Sequence, residues 1–294
     1  MKALNVLLCL VLAFSLAAGL TACGEKEKDT EGEVEKIELE KGVSAIEVAH
    51  HGRTVYGDAY IPDTEEFPLV IFSHGYNGYK DDFRSDAAFL LNEGVASITF
   101  TFCGSGARDR SGFATTRMTL FTEREDLEAL MDYAGSIKGF NGKLYLFGGS
   151  QGGMVSAMAA QARTEDIAGL VLIFPAFSIP DDWSGRYPGS RFPDPEDIPE
   201  IIPWWGVDLG RDFAAAARDF DIYENMAELT APVMIFHGTA DNIVPISYSK
   251  RASETYPNCY YKTYAGAGHG FAPNLMAEID GYLLKFIRTG DFPG

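Results

Sequence analysis

The chain has 294 residues, 46% of them hydrophobic, with 42 acidic side chains against 24 basic ones and a formal net charge of −18. That length and apolar content suffice for one large core, so a single catalytic-size domain is expected. The charge excludes nucleic acid and anionic lipid headgroups as contact surfaces, because both require a basic face.

Residues 1–20 carry Lys2 as their only charged side chain, followed by an apolar run rich in Leu, Val and Ala, the pattern of an export signal. Leu20-Thr21-Ala22-Cys23 follows, and it resembles the lipobox of bacterial lipoproteins, in which the cysteine is diacylated and becomes the first residue of the mature chain. The resemblance implies a signal peptide over 1–22, lipid on Cys23, membrane contact through that anchor, and a domain held outside the cytoplasm. An uncleaved anchor and an ordinary secretory signal are the alternatives. Residues 24–42 are dominated by Glu, Lys, Asp and Gly and contain no aromatic residue. Such a segment buries too little apolar area to order itself, so 23–42 is expected to be an acidic tether and 43–294 the domain.

Residues 43–49 and 54–62 alternate in polarity around His50-His51-Gly52-Arg53, which predicts an antiparallel hairpin. Adjacent residues of an extended chain point to opposite sides, so the paired histidines are expected in a solvated turn rather than on a metal. Residues 68–72 read as a buried strand ending at Ser73-His74-Gly75. Asp81-Asp82 then cap a helix reaching Gly94, with Phe83, Ala87, Leu90 and Leu91 inward. Residues 95–102 form the next strand, leading to Cys103-Gly104-Ser105-Gly106. In 123–134, Leu127, Leu130, Met131 and Ala134 repeat at helical spacing. Residues 143–147 are strand-like and 154–162 helical. The alternation predicts an α/β fold with a mostly parallel sheet and helices on both faces.

Between those last two elements lies Gly148-Gly149-Ser150-Gln151-Gly152-Gly153. In a G-x-S-x-G turn the chain reverses from strand to helix within a few residues, so the serine is strained and its neighbours two positions away must lack side chains. The helix N-terminus beside it favours a developing negative charge. Strand-like residues 168–174 follow, and then about 176–227 break the pattern with prolines, charges and many aromatics. An insertion at that edge of such a sheet lies over the crevice, so it is expected to be a lid. Most of its aromatics hold the insertion together; Trp204, Trp205 and Tyr187 are the candidate substrate contacts. Residues 231–236 deliver His237-Gly238-Thr239-Ala240-Asp241, residues 260–264 deliver Gly266-Ala267-Gly268-His269-Gly270, and 274–287 form a last helix. Cys103 falls at the exit of one strand and Cys259 near the entry of another distant in the sheet, so both are expected as free thiols. No C-x-x-C or His-rich spacing suggests a metal.

Ser150, Asp241 and His269 thus follow one another as nucleophile, acid and base, each past the end of a predicted strand. That order resembles the α/β-hydrolase superfamily. The resemblance spans most of residues 43–290 and includes His74-Gly75, the serine turn, the segment from His237 to Val244-Pro245, and Gly268-His269-Gly270-Phe271. Within the superfamily the chain looks most like bacterial feruloyl or cinnamoyl esterases, through Ser150-Gln151-Gly152-Gly153, Met131-Asp132-Tyr133-Ala134 and two stretches of the lid. The resemblance implies ester hydrolysis through an acyl-enzyme on Ser150, His269 and Asp241, with the backbone N–H groups of Tyr76 and Gln151 holding the oxyanion. It implies a small-molecule ester substrate and no cofactor. Two positions depart from it: Gly149 stands where those relatives have histidine, and Gly104-Ser105-Gly106 where they have Gly-His-Gly. Peptidase or acyltransferase chemistry would use the same acyl-enzyme, and Asp181, Asp182 or Asp208 could then hold a substrate amine. A binding protein that kept the fold without the activity is the reading from another class.

Overall fold

In a computed structural model of the chain, residues 36–184 and 191–293 are described below. The signal-like segment, Cys23 and Tyr187 lie outside them.

The domain starts with a hairpin, β1 (Gly42–His50) and β2 (Arg53–Ile61), in one antiparallel register from Gly42 opposite Ile61 to His50 opposite Arg53. Then come β3 (Phe67–Ser73), α1 (Arg84–Asn92), β4 (Ala96–Thr101), α2 (Leu120–Ser136), β5 (Phe140–Gly149), α3 (Gln151–Ala162) and β6 (Gly169–Ile173). After β6 the chain forms α4 (Ile179–Trp183), a hairpin of β7 (Ile201–Trp204) and β8 (Val207–Gly210), and α5 (Arg211–Arg218). It returns to the sheet with β9 (Val233–Gly238), α6 (Ile246–Thr255), β10 (Cys259–Tyr264) and α7 (Pro273–Thr289).

Among the described residues the main sheet runs β1-β2-β4-β3-β5-β6-β9-β10. β1, β2 and β4 pair antiparallel and the remaining neighbours pair parallel. A parallel sheet covered on both faces needs apolar residues at every position, and the central strands supply them. Leu144 and Leu146 of β5 point into one core with Leu170 and Leu172 of β6, while Tyr145 and Phe147 point into the other with Val171 and Ile173. α2 and α3 cover the first face, α1 and α7 the second. α2 begins with reciprocal bonds: the Thr122 amide donates to Thr119 Oγ1 at 3.1 Å and the Thr119 amide to Thr122 Oγ1 at 2.9 Å.

Three expectations change. Residues 36–41 are not tether: the Ile37 amide donates to Ser136 O and the Lys138 amide to Ile37 O, both at 2.8 Å, and Leu39 packs against the core. Two apolar residues in an acidic stretch suffice to dock it. His50 is not solvated, because its Nε2 lies 2.8 Å from the buried Asp126 carboxylate, which also accepts from Arg53 Nε at 2.7 Å and from the Cys103 amide at 2.8 Å. The hairpin is thereby tied to α2 and to the exit of β4. Lastly, α6 was not foreseen, since its buried residues are the small Ser249 and Ala252. Cys103 and Cys259 are free, as expected from their places past the end of β4 and at the start of β10.

Candidate active site

Ser150 occupies φ +52°, ψ −120°, between β5 and α3. This is a conformation that non-glycine residues hold only under constraint, at roughly 1–3 kcal/mol. The constraint is visible on both sides. A methyl at Gly148 would collide with the Gly152 carbonyl, and one at Gly152 with the carbonyls of Ser73 and His74. Backbone bonds complete it: the Ser150 amide donates to Ile173 O at 3.1 Å, and Ala176 and Met154 donate to Ser150 O at 2.9 and 3.1 Å.

β9 and β10, neighbours in the sheet, end at Gly238 and Tyr264 and release the loops carrying Asp241 and His269. His269 Nε2 lies 2.9 Å from Ser150 Oγ, and His269 Nδ1 lies 2.8 Å from Asp241 Oδ2. The Asp241 side chain is 1% exposed and every acceptor direction is used. Its Oδ1 takes the Ile243 and Val244 amides, each at 2.9 Å, and its Oδ2 also receives His237 Nε2 at 3.1 Å. Burial opposes the charge, yet the donors from Val244, His269 and Ile243 outweigh it and hold this carboxyl below its ordinary range.

Both flanking histidines have structural bonds. His237 is fully buried, which lowers its pKa; its Nδ1 accepts from Ser249 Oγ at 2.7 Å, leaving the Nε2 proton for Val244 O and Asp241. His74 is likewise kept neutral by burial, donates from Nδ1 to Gly75 O at 2.7 Å and accepts the Phe102 amide on Nε2 at 3.1 Å. It pins the loop after β3 to the end of β4, and Tyr76 lies on that loop. Among the described residues the backbone N–H groups of Tyr76 and Gln151 donate to no protein acceptor.

A cavity of about 260 Å³ opens at Ser150, bordered by Tyr76, Gln151, Asp182, Trp183, Trp204 and Trp205. Its far wall comes from α4, α5 and the β7–β8 hairpin, so the aromatic insertion borders it. Trp204 and Trp205 stack at 5.0 Å and 10°, Arg191 covers Trp204 at 3.9 Å, and Trp205 stays 60% exposed at the hairpin tip with φ +41°. Trp183 is buried against Phe192, Trp204 and Phe213, as expected of the insertion's own core. Of the three acids named for an amine, Asp182 borders the cavity. Asp181 accepts Tyr248 Oη at 2.8 Å, and Asp208 is exposed on β8.

Two ties escape the sequence. Tyr76 Oη donates to Trp204 O at 2.8 Å, joining the loop after β3 to the insertion. Gln151 Nε2 donates to Glu123 Oε2 at 2.7 Å, and Glu123 is 1% exposed. Burial pushes the Glu123 carboxyl up to about 8; the Gln151 bond opposes this and the Asp126 charge adds to it. A glutamate at the start of an amphipathic helix reads as a solvated residue, and nothing local marks it as the partner of a glutamine 28 positions on.

Fold and site together define an α/β-hydrolase: a mostly parallel sheet with a strained serine on a strand-to-helix turn and a histidine and an aspartate on later strand ends. Residues 64–219 match the family described as serine aminopeptidase, S33 (Hydrolase_4), and the chain belongs to it; it is a hydrolase. It is 24% identical over 264 residues to the bifunctional esterase/perhydrolase DCH of Acinetobacter calcoaceticus, covering 76% of this chain and 92% of that protein. It is 21% identical over 259 residues to the non-heme chloroperoxidase of Streptomyces lividans, covering 75% and 91%. Among solved structures, Est1E of Butyrivibrio proteoclasticus with ferulic acid bound superposes with a TM-score of 0.75 at 28% identity, over 83% of this chain and 98% of that one.

Proposed function

We propose that the chain is a serine carboxylic-ester hydrolase for small aryl or acyl esters, of feruloyl or cinnamoyl type. The observation that carries this is the unbroken bond path from Ser150 through His269 to Asp241 beside an aromatic-walled cavity. In this reading Ser150 Oγ attacks the ester carbonyl while His269 Nε2 takes its proton. Asp241 keeps the other imidazole proton on Nδ1 and stabilises the imidazolium. The oxyanion is held by the Tyr76 and Gln151 N–H groups. Collapse breaks the bond to the alcohol, which leaves with the proton from His269, and water repeats the sequence on the acyl-enzyme. The acyl group lies against Trp204 and Trp205, and the ferulic acid bound to Est1E supports an aromatic acid there.

The test compares kcat/KM on methyl ferulate, a short aliphatic nitrophenyl ester and an aminoacyl anilide, with Ser150→Ala as blank. Preference for the ferulate is expected. Asp182 at the cavity favours one second reading, an aminopeptidase whose substrate amine pairs with that carboxylate; a dominant anilide rate would establish it. Failure of all three substrates and of fluorophosphonate labelling at Ser150 would leave a binding protein.

The same proposal includes export and acylation at Cys23, supported by the lipobox-like residues alone. Expressed in a bacterial host with fatty-acid label, the chain is expected to carry label in the membrane fraction. Label retained by Cys23→Ser would refute the site.

A further inference from the structure

Ser150 borders a second cavity, of about 240 Å³, which among the described residues shares no other with the first. Its walls come from the turn before α1 (Asp82, Phe83), α1 (Asp86), the residue after β6 (Phe174), the loop before α7 (Phe271) and α7 (Met276). Next to the nucleophile the wall is Gly75 and Gly149, which have no side chains. Methyl groups there would press on Ser150 Cβ at 3.2 Å and on Ile173 and Phe83 at 3.2–3.3 Å. The opening beside Ser150 depends on both glycines.

We propose that this cavity receives the alcohol half of the ester, and that Asp82 and Asp86 select alcohols bearing further hydroxyl groups, such as glyceryl or sugar esters, over simple alkyl esters. The inference rests on the ester-hydrolase reading above. An ester carbonyl over Ser150 directs its two substituents apart, and a nucleophile bordering two cavities accommodates one in each. His269 decides which is which, since it must protonate the departing oxygen. The Phe174 ring lies 4.8 Å from the His269 ring and 4.9 Å from Phe271, and both phenylalanines wall the second cavity. The leaving group therefore has its room on the side of these rings, while the acyl group takes the cavity of the tryptophans.

Selectivity follows from donor chemistry. An ionised carboxylate is an acceptor only. Asp82, in the turn that precedes α1, and Asp86, in the first turn of α1, both border the cavity. Asp82 Oδ2 takes the Tyr79 amide at 3.1 Å, which leaves its other oxygen. Asp86 is 6% exposed and faces Asp280 of α7, itself 7% exposed with Oδ1 lacking a partner among the described residues. Burial raises both carboxyls, and the Asp86 charge raises Asp280 further. A methoxy group brings no donor to these acceptors. A polyol brings several, spaced along its chain, and lays its C–H surface on Phe83 and Phe271.

The test uses the whole enzyme and three esters of one hydroxycinnamic acid, methyl, glyceryl and choline, each kcat/KM normalised to alkaline hydrolysis. All three form the same acyl-enzyme, so differences in kcat/KM report the alcohol side. The glyceryl ester is expected to exceed the methyl ester by roughly tenfold, the scale of one hydrogen bond to a charged group. Asp82→Asn and, independently, the cavity-filling Met276→Trp are expected to bring the ratio severalfold towards one. Equal normalised rates in the wild type, or a ratio that Met276→Trp does not move, would overturn the subsite and leave the ester-hydrolase reading standing. A preference for the choline ester would overturn it in favour of a cation site. No turnover of any ester would overturn both readings.

Discussion

Replacing Glu123 by Gln should stabilise the protein at neutral and alkaline pH while sparing most of its activity. The carboxyl is fully buried and its pKa is raised from 4.5 to about 8. Between those values the unfolded chain is ionised at this residue and the folded chain holds the proton. The folded state then binds more protons, so stability falls as pH rises, by about 1.4 kcal/mol per pH unit. The loss is absent below the unfolded value and complete above the folded one, with a ceiling of about 5 kcal/mol. Gln has nearly the same shape, does not titrate, and its amide oxygen can still accept from Gln151 Nε2. Denaturant unfolding of both proteins at several pH values between 5 and 9 gives the difference directly, because every other titrating group cancels. The wild type is expected to lose ground steadily against the variant up to about pH 8 and then level off. Parallel profiles would refute the reasoning, since they would mean that Glu123 titrates in the folded state as it does in the unfolded chain.

Other substitutions test other parts of the site. Ser150→Ala should reduce ester turnover by about 10⁴-fold or more with little change in stability. Tyr76→Phe removes the bond to Trp204 O and should cost about 1 kcal/mol of stability while keeping most of the rate, because the proposed oxyanion donor is the backbone N–H; a loss like that of Ser150→Ala would refute that role. Gly152→Ala drives a methyl into the Ser73 and His74 carbonyls and should lower stability by more than about 3 kcal/mol, read by thermal or urea unfolding. Trp205→Ala, at an exposed hairpin tip, should raise KM for aromatic esters with little change in melting temperature.

The parts legible in the sequence are those where chemistry and local geometry coincide. A serine between glycines needs its turn, and the strands before His237 and Gly266 are apolar runs that can hardly be anything else. What escaped depends on partners far along the chain. Glu123 meets Gln151 across two elements, Tyr76 meets the carbonyl of Trp204, and His50 meets Asp126. Helix α6 escaped for a different reason: its inward residues are small because one of them, Ser249, must reach the His237 ring rather than fill volume. Apolar periodicity does not register a helix whose buried face serves a hydrogen bond.

That bond bears on Asp241, where a last prediction can be worked through. Its Oδ1 receives two loop amides and its Oδ2 receives two imidazoles, so the carboxylate is fully paired and its pKa is depressed below the unfolded 3.8. The folded state then binds fewer protons than the unfolded one. The resulting stability is present above 3.8 and is lost as pH falls through the folded value, a limb opposite in sign to that of Glu123. Asp241→Asn preserves size but turns one oxygen into a donor. If the remaining oxygen keeps the Ile243 and Val244 amides, the NH₂ group faces His269 Nδ1, which can answer it only as an acceptor. The imidazole proton then moves to Nε2, directed at Ser150, and the base that should take the serine proton is lost. Turnover is expected to fall by about 10⁴-fold with the fold intact, and the acid limb specific to this carboxyl to vanish from the unfolding profile. Undiminished turnover in Asp241→Asn would show that His269 keeps its tautomer without the carboxylate, and the orienting role given to Asp241 would have to be abandoned.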